Sequence, residues 1–189
     1  LVSAAAKLAA APVKLDESSD VSIMDIRSKA RRWVSEDGIR LLVVDYAGLV
    51  RGTRNYRERR EEMGEVSRGV KQIAKELKIP VLLLAQLNRD IEKSENKYRV
   101  PQLSDLRDSG DFEQDAHVVA ILHRPKLTAE EQDVSDEKRD WAAHSTRINL
   151  QICKQRDGPT GKVELLFEKA CMRFSSYRRT KQQHEQEEM

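Results

Sequence analysis

One carboxylate stands out by its position. Asp45 ends an apolar run, Leu41-Leu42-Val43-Val44. Four apolar residues in succession suit a strand buried on both faces, as in a parallel sheet. In open α/β sheets, ligands bind beyond the carboxyl ends of the strands. A carboxylate there can hold Mg²⁺, or its waters, beside a nucleoside triphosphate. The alternative is a strand whose last residue opens a turn, where Asp is common. A second apolar run, Val81 to Ala85, ends in Gln86-Leu87-Asn88-Arg89. Gln86 is then a polar residue at the end of a strand. Two further groups carry charge near glycine. Gly110 follows Arg107 and Asp108, and glycine lets a backbone approach a phosphate closely while Arg adds a charge-assisted contact. Spacing alone also fits a helix capped by Ser104 with Arg107 on the surface. Lys154 and Arg156 precede Gly158-Pro159 and Gly161, a turn that projects Arg156 outward. Spacing alone leaves Arg156 as an exposed arginine on a surface hairpin.

The elements that must position these groups follow from periodicity. Leu1 to Ala11 reads as the tail of a helix, and Val13-Lys14-Leu15 as a short strand. Ser22 is a helix N-cap with Asp25 at the capping-box position. Ile23, Ile26, Ala30, Trp33 and Val34 recur at helical spacing until Gly38. The polar, basic stretch from Gly48 to Arg60 reads as a mobile loop entering a second helix. That helix shows one apolar face through Met63, Val66, Val70, Ile73, Ala74 and Leu77. Two strands with a helix between them predict a parallel βαβ crossover. The charged stretch from Asp90 to Pro101 reads as a loop. Ala116 to Leu122 is a third apolar strand, and Lys126 to Ala143 an acidic, helix-prone excursion. Arg147 to Lys154 alternates as a sheet-edge strand. Gln155 to Lys162 is a hairpin turn, from which Val163 to Phe167 returns, with Phe174 and Tyr177 packing at the end. Arg178 to Met189 is charged and Gln-rich, a tail expected to be disordered.

Composition narrows the class. The chain has 189 residues, 35% charged and 5% aromatic, with a net charge of +2. One globular domain is the natural expectation at this length. The basic charge is uneven: residues 51 to 99 hold 13 Lys/Arg against 8 Asp/Glu, which suits a phosphate-binding surface or a solvated face. Cys153 and Cys171 form no framework, and His117, His123, His144 and His184 show no ligand spacing, so a Cys- or His-ligated metal is not expected. No apolar run approaches the roughly 20 residues of a membrane span.

The ordered set of motifs resembles the DnaB family of bacterial and phage replicative DNA helicases, in the later part of their RecA-like motor domain. The residues that carry it are Leu42-Val43-Val44-Asp45-Tyr46, Lys75-Glu76-Leu77-Lys78-Ile79-Pro80-Val81 and Gln86-Leu87-Asn88-Arg89. They continue as Ser104-Asp105-Leu106-Arg107-Asp108-Ser109-Gly110, Glu113-Gln114-Asp115-Ala116 and Lys154-Gln155-Arg156-Asp157-Gly158-Pro159-Thr160-Gly161. The resemblance implies an α/β fold: a RecA-like, mostly parallel sheet flanked by helices, with a C-terminal antiparallel hairpin. Residues 1–177 would be part of that ATPase domain and 178–189 the tail. It implies a homo-hexameric ring around single-stranded DNA, in which ATP hydrolysis drives 5′-to-3′ translocation and unwinding. ATP and Mg²⁺ are the implied cofactors, a primase and a helicase loader the implied partners, and the cytoplasm the implied setting.

The resemblance also implies roles, residue by residue. Asp45 is the Walker B carboxylate associated with Mg²⁺, and Gln86 senses the γ-phosphate. Arg107, Asp108 and Gly110 form a loop on the DNA phosphates. Lys154 and Arg156 reach the neighbouring subunit's nucleotide. Two departures bear on this. The sequence contains no G-x-x-x-x-G-K-[ST] phosphate loop, and the family's catalytic Glu is not identifiable; both would precede Leu1, so the chain reads as a piece of a longer protein. On its own it is expected not to turn over ATP. Ala47-Gly48 stands where the family usually has Leu-Gln. The alternatives are a non-catalytic RecA-like DNA-binding or assembly module and a RecA/RadA-type recombinase.

Overall fold

A computed structural model describes residues 2–88, 100–106, 110–125 and 145–177. They fall into two compact units, residues 1–87 with 106–115, and residues 88–105 with 116–189.

The first unit opens with helix α1 (Val2–Ala9). The expected strand at 13–15 does not form: these residues are exposed, and Lys14 instead pairs with Asp37 at 2.9 Å. Strand β1 (Val21–Ser22) leads into helix α2 (Ile23–Asp37). Its start is the expected capping box, with the Asp25 amide donating to Ser22 Oγ and the Ser22 amide donating to the Asp25 carboxylate. These bonds satisfy amides the first turn would leave unpaired. Gly38 ends the helix at φ 66°, a left-handed cap that costs glycine little. Strand β2 (Leu42–Val44) follows, then a 3₁₀ turn (Ala47–Leu49) and strand β3 (Val50–Arg51), which pairs parallel with β1. Helix α3 (Arg59–Leu77) buries Met63, Val66, Val70 and Ile73 along one stripe and ends at Lys78, whose φ is 52°. Strand β4 (Val81–Leu83) returns parallel to β2 in the register Leu42↔Val81, Val43↔Leu82, Val44↔Leu83. Helix α4 (Gly110–Asp115) adds Phe112 to the core, which otherwise comes from α2, α3, β2, Ala47 and Val50. Each of the larger apolar side chains among them contributes roughly 1.5–3 kcal/mol on burial.

The parallel crossover is as expected, but its strands are not buried on both faces. Leu42 and Val44 face the core, whereas Val43 is 51% and Leu82 54% exposed. Among the described residues, helices cover one face only. A run of apolar residues records that a strand is suited to burial, not what covers it.

The second unit holds a four-stranded antiparallel sheet in the order β5 (Val118–His123), β6 (Ser145–Gln155), β7 (Gly161–Glu168), β8 (Arg173–Ser176). The strand expected at a sheet edge, β6, is interior, with β5 and β7 on its two sides. Alternation is the same for edge and interior strands of a half-buried sheet, so the pattern does not separate them. Phe174 does pack at the end, its ring 4.7 Å from that of Phe167, and Tyr177 lies under the Arg147 guanidinium. The 126–143 excursion and the 178–189 tail lie outside the described residues.

Candidate functional site

Asp45 and Gln86 both lie past the carboxyl ends of β2 and β4, hydrogen-bonded neighbours running the same way. The Leu84 amide donates to the Val44 carbonyl at 3.0 Å, and the Ala47 amide donates to the Leu84 carbonyl at 2.8 Å. The backbone on both sides of Asp45 is thus pinned to the segment that ends in Gln86. Both side chains are exposed at the carboxyl end of the pair. Asp45 directly follows β2 and Gln86 lies three residues beyond β4, so past the same end of the strand pair stand a carboxylate that can accept from a hydrated cation's waters and an amide whose NH2 can donate to a phosphate oxygen. At the departure Ala47-Gly48, Ala47 is buried in the core and a Cβ on Gly48 would meet the Tyr46 ring.

The stretch from Gly48 to Arg60, expected as a mobile loop entering a helix, is hydrogen-bonded to side chains of α3. The Gly52 amide donates to Glu62 at 3.0 Å. The Thr53 amide and hydroxyl donate to Glu65 at 2.8 and 2.5 Å, and the Tyr56 hydroxyl does so at 2.8 Å. Arg59 donates to the Gly48 carbonyl at 2.6 Å and pairs with Glu62. Burial raises the pKa of Glu62 and of Glu65, but these donors outweigh it and hold both carboxyls below their ordinary range. The two glutamates of α3 therefore act as a clamp on 52–56. Sequence reading missed them, because acidic residues in a first helical turn look like dipole partners or solvated charge.

Of the residues expected on a DNA loop, Arg107 and Asp108 lie outside the described residues. Their flanks are described. Leu106 forms an antiparallel bridge with Leu87, the residue after Gln86. Ser104 lies inside a 3₁₀ turn (Leu103–Asp105) rather than at a helix N-cap, and the Asp105 carboxylate accepts from the Gln102 amide at 2.7 Å. Gly110 opens α4 with its backbone outside the left-handed region, and its nearest side chain is Arg60 of α3.

Lys154 and Arg156 belong to the second unit. The β5–β6 register shifts between Val119 and Ala120, which pair with Lys154 and Ile152, so Cys153 is an extra residue in β6. Opposed neighbours on β5 point to opposite faces, so this bulge turns Lys154 away from the face of Ile152. Burial pushes the Cys153 thiol pKa up, which suits a packed residue and not a nucleophile. The Arg156 amide donates to the His117 carbonyl at 3.0 Å, so its backbone is held while its side chain is exposed on the turn.

Comparison with known proteins gives a consistent result. The family model described as DnaB-like helicase C terminal domain matches residues 1–176. The chain is 36% identical over 180 residues to the replicative DNA helicase DnaB of Geobacillus stearothermophilus, covering 95% of this chain and 37% of that protein. It is 38% identical over 173 residues to DnaB of Mycobacterium leprae, covering 92% of this chain and 27% of that one. The chain thus spans about a third of the length of these relatives. Among solved structures, a DnaB-like replicative helicase, described with its interactions with primase, superposes with a TM-score of 0.77 at 30% identity over 94% of this chain and 41% of the other. A second solved structure, an ATPase domain, gives the same TM-score and identity, covering 94% of this chain and 59% of that one.

Proposed function

The chain belongs to the DnaB-like helicase C terminal domain family, and from this premise we propose that it forms the later part of the motor of a replicative DNA helicase. The motor couples ATP hydrolysis to 5′-to-3′ movement on single-stranded DNA, works as a homo-hexamer in the cytoplasm of a bacterium, and acts with a primase and a helicase loader. The observation that carries this reading is that Asp45 and Gln86, both exposed, follow the carboxyl ends of hydrogen-bonded parallel strands.

The donor set fits Mg²⁺ with ATP. Among the described residues no group of three His, Cys, Asp or Glu could hold a metal ion by itself. Mg²⁺ does not need such a cage, being bound by one or two carboxylates, waters and substrate phosphates. When bound, it neutralises charge that develops on the phosphates during transfer. Asp45 would hold the hydrated ion, directly or through water. Gln86 would hydrogen-bond the terminal phosphate and register its loss. Lys154 and Arg156 would act on the nucleotide of the neighbouring subunit, where a cation supplied across a boundary stabilises the transferring group. Arg107, Asp108 and Gly110 would follow the DNA backbone, with contacts that carry no base information.

DNA-stimulated ATPase activity of the full-length protein tests the reading. Asp45→Ala should reduce it to background while leaving the fold intact, since Asp45 is exposed. Full activity in that variant would rule out the nucleotide site at these strand ends.

A further inference from the structure

Arg59 is the first residue of α3, where a cation is poorly placed. The first turn of a helix carries partial positive charge and favours carboxylates, such as Glu61 and Glu62. Glu58, at the N-cap, makes no capping hydrogen bond with its side chain. Helix stability therefore does not account for an arginine at this position, but its contacts do. The guanidinium Nη2 donates to the Gly48 carbonyl at 2.6 Å, and Nη1 pairs with Glu62. Glu62 in turn accepts from the Gly52 amide at 3.0 Å. One planar fork spans a loop carbonyl and a carboxylate, and that carboxylate holds a second point of the loop.

Gly48 lies three residues past Asp45, in the 3₁₀ turn (Ala47–Leu49) that carries the chain away from the strand. The turn closes through the Leu49 amide, which donates to the Tyr46 carbonyl at 3.0 Å. It is attached on two sides. Toward β4, Val44 and Ala47 are both bonded to Leu84. Toward α3, Arg59 holds Gly48 and Glu62 holds Gly52. The Tyr46 ring lies against Gly48, and Ala47 is buried, so a displacement of Gly48 is passed to the residue beside Asp45. Such displacement matters for a carboxylate that serves Mg²⁺. The ion demands near-octahedral geometry, and a misplacement of about 1 Å can cost about 10²-fold in rate.

We propose that Arg59 and Glu62 are positioning residues for Asp45: they fix the turn that leaves β2, and with it the place of the carboxylate. Both act through the backbone of residues 46–52 and not on the nucleotide. The inference rests on the reading of Asp45 as the Mg²⁺-associated carboxylate.

The test uses the full-length protein and two measurements. The first is amide hydrogen exchange without nucleotide or Mg²⁺. In Arg59→Ala the Leu49 amide should exchange about tenfold faster, as loss of one hydrogen bond allows. The Ile73 amide, on the buried face of α3, should keep its protection and so report an intact fold. The second is DNA-stimulated ATPase activity. In Arg59→Ala, kcat should fall roughly 10- to 100-fold, while KM for ATP changes by less than about twofold. The Mg²⁺ concentration for half-maximal rate should rise. Arg59→Lys should recover only part of kcat, because one ammonium does not bridge Gly48 and Glu62 as the fork does. Glu62→Gln, which keeps an acceptor for Gly52 but loses the ion pair, should fall between the parent and Arg59→Ala. Unchanged exchange at Leu49, or unchanged kcat, in Arg59→Ala would overturn the proposal. A raised KM at constant kcat would also overturn it, since that is the pattern of a loosened binding surface. Asp45→Ala, measured alongside, separates the two levels. If it retains activity, the reading of Asp45 is wrong; if it is inactive while Arg59→Ala keeps the parent kcat, only the positioning role is wrong.

Discussion

Ser67, in the middle of α3, donates a hydrogen bond to Asp115 at the last position of α4, at 2.8 Å. The two residues are 48 positions apart, and Ser67 is only 4% exposed. The bond holds the short helix that begins at Gly110 against the longest helix of the first unit.

Removing the acceptor should cost more than removing the donor. Asp115→Ala strands a buried hydroxyl and should destabilise by about 1–3 kcal/mol, whereas Ser67→Ala deletes the group and should cost about 0.5–1.5 kcal/mol. In the double variant the loss should be less than the sum, because the two share one bond. Urea midpoints of the four proteins measure this. Strictly additive losses would show that the pair does not couple α3 to α4.

The clamp on residues 52–56 should respond to acid. The folded-state pKa of Glu65 is depressed, so its contribution is present above the ordinary value of 4.5 and is lost as pH falls through the depressed one. Glu65→Gln should therefore be less stable than the parent at neutral pH, and the gap should close as the pH falls below the ordinary carboxylate value and through the depressed one. Paired denaturant titrations between pH 7 and 3 provide the measurement. A gap independent of pH would mean that the charge of Glu65 is not what holds the loop.

Gly110 separates fold from binding. An added Cβ would meet Arg60 at 3.5 Å, an ordinary contact, and the backbone is not left-handed there. Gly110→Ala should thus be neutral or stabilising by up to about 1 kcal/mol. Its affinity for single-stranded DNA should nevertheless fall, since the methyl group occupies the surface a phosphate approaches. Wild-type affinity in a stable Gly110→Ala protein would take Gly110 off the DNA path.

Local features of this fold were legible in the sequence. The Ser22–Asp25 box and the Gly38 cap involve neighbours along the chain, and the α3 stripe is a repeat within one helix. The two strands ending at Asp45 and Gln86 were legible because each apolar run stops at a polar residue. What escaped depends on partners remote in sequence. The clamp joins Glu65 to Thr53 through a carboxylate and a loop amide, which no periodicity records. The interior position of β6 and its bulge at Cys153 depend on which strands lie beside it.

In the proposed function the nucleotide site is shared between subunits, with Asp45 acting within its own subunit and Arg156 acting on the next. In the full-length protein, Asp45→Ala and Arg156→Ala should each abolish DNA-stimulated ATPase activity, a loss of about 10³-fold or more for a trans-acting arginine. The decisive measurement is ATPase activity after mixing the two inactive variants under conditions where subunit exchange is verified. Some interfaces then bring an intact Asp45 opposite an intact Arg156. Activity should reappear, greatest near equal proportions and absent from either variant alone. Verified exchange with activity at background in every mixture would contradict the shared site.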